Sequence, residues 1–203
     1  MNGNHAEVCT SPEWAEHIQC EILPALTRDI DLGKDMLELG PGPGAATDWL
    51  RHKVACLTAV EIDTEAAAAL ADRYAGTNVE ITTGSAAALS YPDESFDSVG
   101  SFTMLHHVPT LALQNKILAE AYRVLRPGGV LIGSDSLASN DLHHFHVHDI
   151  YNPVEPASLL GRLQTLGFDK ITVVVDEVLK FIACKPTSQD QRDEDQTARL
   201  RRD

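Results

Sequence analysis

The chain has 203 residues, of which 43% are hydrophobic and 23% are charged, and its formal net charge is −14. This length suits one domain with short extensions and a core large enough for an α/β sheet. Nucleic-acid binders neutralise phosphates with Lys and Arg, so this acidic chain predicts a small-molecule partner and no nucleic acid. No apolar run approaches the roughly 20 residues of a membrane span, and the polar start is unlike a secretory signal, so we expect no membrane association and a cytoplasmic location.

The N-terminal segment predicts a helix. Ser11 is a candidate N-cap with Pro12 in the first turn, and apolar residues recur at helical spacing from Trp14 to Leu26. Pro24 is expected to bend this helix. The four cysteines form no C-x-x-C pair, so they are expected to be reduced thiols.

Strand and helix signals then alternate along the chain. Strands are predicted at DMLELG, ACLTAVEI, NVEITTG, FDSVGSF and GVLIGSDS, and helices at AATDWLRHK, TEAAAALADRYAG and around Ile117 to Leu125. A helix from Pro156 to Gly167 precedes two further strands around Asp176 and Glu177, which are expected to form an antiparallel hairpin. The pattern predicts a Rossmann-like α/β fold, with a doubly wound, mainly parallel sheet of seven strands and helices on both faces.

The segment MLELGPGPGAAT, residues 36–47, places Gly40, Gly42 and Gly44 directly after the first strand and before a helix. Such a turn brings backbone N–H groups towards a ligand at the point where open parallel sheets bind one. A nucleotide-like ligand is therefore predicted. The alternative is a turn that needs glycine only for tight packing.

Two cofactor classes compete for this turn. Gly40, Gly42 and Ala45 match G-x-G-x-x-A, and Glu61 lies about 20 residues further on, as NAD binding requires. However, Glu38 inside the strand gives E-x-G-x-G-x-G, and an acid there suits a cationic amino group better than a pyrophosphate.

Several motifs then follow in a fixed order: LELGPGPG, VEID, GSAAAL, PDESFDSV and LRPGGVLI. Their order and spacing resemble the class I S-adenosylmethionine-dependent methyltransferases, from about Trp14 to Lys185. SFTMLHHVP resembles the small-molecule methyltransferases of menaquinone and ubiquinone biosynthesis. The resemblance implies S-adenosylmethionine as cofactor and in-line transfer of its methyl group to an O, C, N or S atom of a small molecule.

The resemblance also implies the cofactor contacts. Glu38 would hold the methionine ammonium, and Glu61 would accept hydrogen bonds from both ribose hydroxyls. Ser85 stands where the family usually carries Asp, which leaves the adenine amino group with a neutral partner. Ile62 would pack on adenine, although it could also be plain core. The implied contacts are Glu38, Gly40, Pro41, Gly42, Gly44, Glu61, Ile62, Gly84, Ser85, Ala86, Phe102 and Thr103.

Histidines are the candidate catalytic residues. Methyl transfer mainly needs alignment and exclusion of water, and it needs a base only when the acceptor is protonated. An imidazole can exchange a proton near neutral pH. His106 and His107 follow the fourth strand, and His146 and Asp149 lie in the second histidine-rich segment, DLHHFHVHDIYNP. Tyr151 in that segment is a candidate substrate contact.

The second segment also permits a metal site. In an extended conformation His144, His146 and His148 would share one face beside Asp149. We nevertheless expect no metal, because the resembled class of methyl transfer usually needs none, and a surface histidine run is the simpler alternative.

The expected organisation has a helical lid at residues 1–34, a cofactor-binding domain at 35–185 and a disordered charged tail at 186–203. The lid would bring His5, Cys9, Trp14 and His17 near the acceptor, with Trp14 either a substrate contact or a helix anchor. The oligomeric state stays open, with a homodimer as one alternative. The alternatives are an NAD-linked oxidoreductase, a nucleic-acid or protein methyltransferase, and a cofactor-binding protein without catalysis.

Overall fold

A computed structural model describes residues 7–187 and 189–190. Seven strands form one sheet in the order β3-β2-β1-β4-β5-β7-β6. The strands are β1 Asp35–Leu39, β2 Cys56–Glu61, β3 Val79–Thr83, β4 Phe96–Phe102, β5 Leu125–Asp135, β6 Asp169–Val175 and β7 Leu179–Cys184. All the predicted strands are present.

Helices connect the strands and begin at recognisable caps. The helices are α1 Pro12–His17, α2 Leu23–Thr27, α3 Ala45–Leu50, α4 Thr64–Arg73, α5 Leu111–Val124, α6 Asn140–Phe145 and α7 Pro156–Leu166. Ser11 and Thr110 cap α1 and α5 through their side-chain oxygens, and Gly167 ends α7 in a left-handed conformation. A π-helical turn, Ile18–Ile22, joins α1 to α2, so the irregularity expected at Pro24 precedes that residue.

The pairing of β1 defines where a ligand can bind. It runs parallel to both β2 and β4, with Leu39 opposite Val60 on one side and Ser101 on the other. The chain reaches β3 before it crosses back to β4, so the strand order reverses at β1 and leaves a crevice at the carboxyl ends of these strands. β7 is antiparallel to both β5 and β6, which confirms the predicted hairpin.

Two apolar clusters cover opposite sides of the sheet. One joins buried residues of α5 and α7, such as Leu118 and Leu159, to the sheet. The other contains Ile18, Ile22 and Leu23 of the N-terminal segment together with Leu50 of α3. The doubly wound arrangement is therefore confirmed, and the N-terminal segment contributes directly to the core.

Other expectations have different outcomes. All four cysteines are free thiols. Among the described residues, no helix has the length and apolar character needed to cross a bilayer. His5 and nearly all of the expected tail at 186–203 lie outside the described residues. The extended conformation considered for the histidine segment is not adopted at residues 140–145, which form α6.

Candidate active site

The glycine turn closes tightly on one side and is open on the other. Gly40, Gly42 and Gly44 all have positive φ, a conformation that side-chain-bearing residues rarely adopt. A Cβ on Gly40 would lie 2.4 Å from Met104 Cγ, and one on Gly44 would lie 2.7 Å from the Tyr74 hydroxyl. A Cβ on Gly42 would meet no atom within 4 Å, so the turn exposes bare backbone to the crevice at this residue.

Glu38 is a buried acid beneath this turn. Its side chain is 2% exposed, and Thr47 Oγ1 donates a hydrogen bond of 2.7 Å to its Oε2. Burial raises the pKa of Glu38 to about 7, the Thr47 hydrogen bond opposes that rise, and the charges of Asp48 and Glu61 add to it. A cationic ligand group beside Glu38 would favour its ionised form.

Glu61 at the end of β2 is held by the backbone on both sides. Its Oε1 accepts a hydrogen bond of 3.0 Å from the Asp63 N–H, and its Oε2 accepts one of 3.3 Å from the Gly42 N–H. A carboxylate offers about four lone-pair sites, so these two bonds leave capacity for ligand hydroxyls. The geometry thus fixes Glu61 against the glycine turn without saturating it.

The residues predicted to contact adenine follow the ends of β2 and β3. Ile62 is 72% exposed, which excludes the interpretation that it is plain core. Gly84 N–H donates to the Glu61 carbonyl at 2.8 Å, which ties the GSAAAL loop to the end of β2. Ser85 Oγ accepts a hydrogen bond from the Ala87 N–H at 3.3 Å, and its hydroxyl can still donate to a ligand.

Two predicted cofactor contacts, Phe102 and Thr103, lie at the end of β4. Phe102 is 7% exposed and packs in the core cluster of the N-terminal segment, and its contact with the cofactor stays a prediction. Thr103 has φ of 50°, and its N–H donates to the Ser134 carbonyl. Non-glycine residues in this strained conformation cluster at functional sites.

A buried histidine cluster lies directly after this strained residue. His106 and His107 form a short 3₁₀ turn, and the rings of His106 and His146 approach to 5.2 Å between centroids. Tyr151 stacks on His146 at 4.6 Å. We call His106, His107, His146 and Tyr151 the histidine cluster. Met104, two residues before His106, lies close to Gly40, so the cluster lies beside the crevice.

Asp135 is a functional candidate that the sequence reasoning missed. It ends β5, is fully buried, and its Oδ1 lies 2.5 Å from His106 Nδ1. The Ser136 N–H donates to the same oxygen. The signal was available in GSDS at the carboxyl end of a predicted strand, but nothing local showed that β4 and β5 are neighbours.

The predicted residues of the segment DLHHFHVHDIYNP differ in burial. His146 follows α6 and is buried, whereas His144 and His148 are exposed, so the shared face expected for these three residues is wrong. The Asp149 N–H donates to the His146 carbonyl at 2.8 Å. Burial raises the pKa of the Cys9 thiol, and the nearby Asp149 charge adds to that rise, so the N-terminal segment comes close to this region.

Trp14 is half-buried and packs against the core cluster of the N-terminal segment. Its ring lies 5.8 Å from that of His17. Gln19 Nε2 donates to the Ala45 carbonyl at the start of α3, which fastens the same segment beside the glycine turn. These contacts favour the helix-anchor interpretation of Trp14, and its contact with substrate stays a prediction.

Comparison with known proteins agrees with this geometry. A family model described as a methyltransferase domain matches residues 37–133. A probable S-adenosylmethionine-dependent methyltransferase from Mycolicibacterium smegmatis is 31% identical over 144 residues, which are 68% of this chain and 52% of the relative. This chain belongs to the class I S-adenosylmethionine-dependent methyltransferases. The alternative of an NAD-linked oxidoreductase is not favoured.

Further relatives of this methyltransferase chain include the phthiotriol/phenolphthiotriol dimycocerosates methyltransferase of Mycobacterium leprae, which is 32% identical over 163 residues, 79% of this chain and 54% of the relative. The chain spans about half the length of these curated relatives.

Among solved structures, a methyltransferase from Methanosarcina mazei has a TM-score of 0.65 at 23% identity, covering 81% of this chain and 98% of its own. Haemonchus contortus phosphoethanolamine N-methyltransferase 2, in complex with S-adenosyl-L-methionine, has a TM-score of 0.70 at 16% identity, covering 91% and 57%. These likenesses show the fold.

Proposed function

We propose that this protein binds S-adenosylmethionine in the crevice at the glycine turn and transfers its methyl group to a small molecule. The observation that carries the proposal is the presence of two acids at that turn. Glu38 lies buried beneath it, and Glu61 is hydrogen-bonded to Gly42 within it. In a chain of this family, the two acids match the two ends of an amino-acid nucleoside.

The residues of the crevice fit this cofactor. Ionised Glu38 would pair with the ammonium, and the spare lone pairs of Glu61 would accept from the ribose hydroxyls. The exposed side chain of Ile62 would cover one face of adenine, with Ser85 at its edge. When bound, S-adenosylmethionine supplies a methyl group on a sulfonium, an activated leaving group, so the protein mainly aligns the reactants and excludes water.

We place the acceptor at the histidine cluster. His106, His107 and His146 are donors or acceptors of hydrogen bonds at the edge of the sheet where the methyl group is expected, and Asp135 orients His106. A hydroxyl or thiol acceptor must lose its proton, and this cluster is where we expect that loss. Asp149 remains a candidate contact because it lies near the N-terminal segment.

The remaining parts of the proposal concern the surroundings of the site. A lid at residues 1–34 stays part of the proposal, although Ile18 to Leu26 of this segment also contribute to the core. The substrates named for the relatives support a small-molecule acceptor and define it no further. A cytoplasmic location, a homodimer and the absence of nucleic-acid binding stay predictions.

Isothermal titration of the full chain with S-adenosylmethionine and its demethylated product tests the cofactor site. We expect the wild type to bind, and also the control variant Glu65→Gln, which changes an exposed acid of α4. The affinity of Glu61→Gln should be at least about tenfold lower, because a charge-assisted hydrogen bond contributes about 1.5–3 kcal/mol. Absence of binding by the wild type would overturn the proposal. An acceptor screen with labelled methyl donor, monitored by mass spectrometry, then tests transfer.

A further inference from the structure

We propose that His106, His107 and His146 form a binding site for a divalent transition-metal ion of the zinc type. One ring nitrogen from each of the three residues lies within 4.8 Å of the other two. The ring centroids of His106 and His107 are 3.9 Å apart, and those of His107 and His146 are 5.4 Å apart. This set differs from the alternating histidines that the sequence singled out, and only His146 is common to both.

Outer hydrogen bonds orient two of the three rings. His146 Nδ1 lies 2.7 Å from the Leu142 carbonyl oxygen, which can only accept, so Nδ1 carries the proton and Nε2 is the nitrogen that the neutral ring would offer to a metal. His106 Nδ1 lies 2.5 Å from the Asp135 carboxylate, which by the same reasoning presents Nε2 of His106. Metal-binding histidines are characteristically held by a carboxylate or a backbone carbonyl in this way.

The spacing of the three nitrogens is close to that of a metal site. With imidazole nitrogens about 2.1 Å from zinc, two ligands are at most about 4.2 Å apart. In the tetrahedral geometry of zinc two such nitrogens are about 3.4 Å apart, so nitrogens separated by 4.8 Å would each move by up to about 0.8 Å towards the metal. Asn152 ties the two segments together by donating its N–H to the His106 carbonyl and its side-chain amide to the Val108 carbonyl.

The ligand type selects the metal. Imidazole suits zinc, cobalt, nickel, copper and iron, whereas Mg²⁺ and Ca²⁺ prefer oxygen ligands. Three protein ligands leave a fourth position open, as in catalytic zinc sites. That position would accept an acceptor oxygen or sulfur, a role that rests on the proposed function, whereas metal binding itself does not.

Metal titration of the tag-free full chain tests the site. After treatment with a chelator and its removal, the protein is titrated with Zn²⁺ by calorimetry and with Co²⁺ by visible absorption, and Mg²⁺ serves as the negative control. We expect one Zn²⁺ or Co²⁺ ion per chain and no Mg²⁺. His107→Ala and His146→Ala should each lower the affinity at least about tenfold, and Asp135→Asn should lower it about tenfold through His106.

His144→Ala is the matched control, because His144 is an exposed histidine of the same segment with its Nδ1 near the Asn140 carbonyl. It should bind the ion as the wild type does. Circular dichroism checks the folding of each variant, and if one of the two alanine variants does not fold, the other decides. Wild type without stoichiometric binding, or equal losses in His144→Ala and His146→Ala, would overturn the proposal. Cofactor binding measured with chelator present tests the proposed function separately.

Discussion

Replacement of Glu38 by Gln should stabilise the ligand-free protein at alkaline pH. Glu38 is fully enclosed, and its burial raises its pKa from an ordinary value of 4.5 to about 7. The folded state therefore binds more protons than the unfolded state between these two values, so Glu38 makes stability fall as the pH rises through this window. Glutamine has nearly the same shape, can still accept the Thr47 hydrogen bond and does not titrate.

The size of the effect follows from the pKa difference. A difference of about 2.5 corresponds to about 3 kcal/mol, of which about 2 kcal/mol falls between pH 5 and pH 8. The stability of Glu38→Gln relative to wild type should therefore grow by about 2 kcal/mol over this range. Taking the difference between the two proteins cancels the other titrating groups, which both proteins share.

Urea unfolding monitored by circular dichroism at pH 5, 6, 7 and 8 measures this difference. Glu65→Gln, which changes an exposed acid, controls for the altered net charge. Curves of stability against pH that run parallel for wild type and Glu38→Gln would show that Glu38 is not held above its ordinary pKa, and the reasoning about the buried acid would be refuted.

Three further outcomes are expected. Wild-type affinity for S-adenosylmethionine should rise up to about tenfold from pH 6 to pH 7.5 as Glu38 ionises, and calorimetry should find no such rise in Glu38→Gln. Gly44→Ala should lower the free energy of unfolding by about 2 kcal/mol, because Gly44 has positive φ and an added Cβ would contact Tyr74. Gly42→Ala should lower it by only about 1 kcal/mol, because the added Cβ meets open space. Equal losses of the two variants in urea unfolding would contradict this difference. Asp97→Ala should lower the free energy of unfolding by about 1–2 kcal/mol in the same assay, because two backbone N–H groups at the start of β1 lose their acceptor. An unchanged midpoint would contradict that role of Asp97.

The sequence predicted the sheet well because its signals are local. Short apolar runs end in turn residues, and the glycines at 40, 42 and 44 have the positive φ that a tight strand-to-helix turn requires. Gly167 likewise ends α7 where predicted. Each of these features depends on residues that are neighbours in the chain.

Two local signals compete in the histidine segment. Alternating histidines favoured an extended strand, but Ser139 caps a helix by accepting the Leu142 N–H, and that helix turns His144 to solvent while His146 follows it into the protein. The capping signal was present in the sequence and outweighed the alternation.

The pairing of His106 with Asp135 could not be read locally. The two residues are 29 positions apart, and they meet only because β4 and β5 are adjacent in the sheet. Similarly, the left-handed backbone of Thr103, which directs the chain from β4 into the 3₁₀ turn, carries no sequence signal that distinguishes it from an ordinary threonine. Such features follow from tertiary packing.

The most direct test of the central claim is a crystal structure of the full chain with S-adenosylhomocysteine, the demethylated cofactor. The account predicts the amino group beside Glu38, the ribose hydroxyls on the Glu61 carboxylate and adenine against Ile62. A nucleoside bound elsewhere, or a crevice between Gly40 and Gly44 that the chain itself fills at saturating ligand, would contradict it.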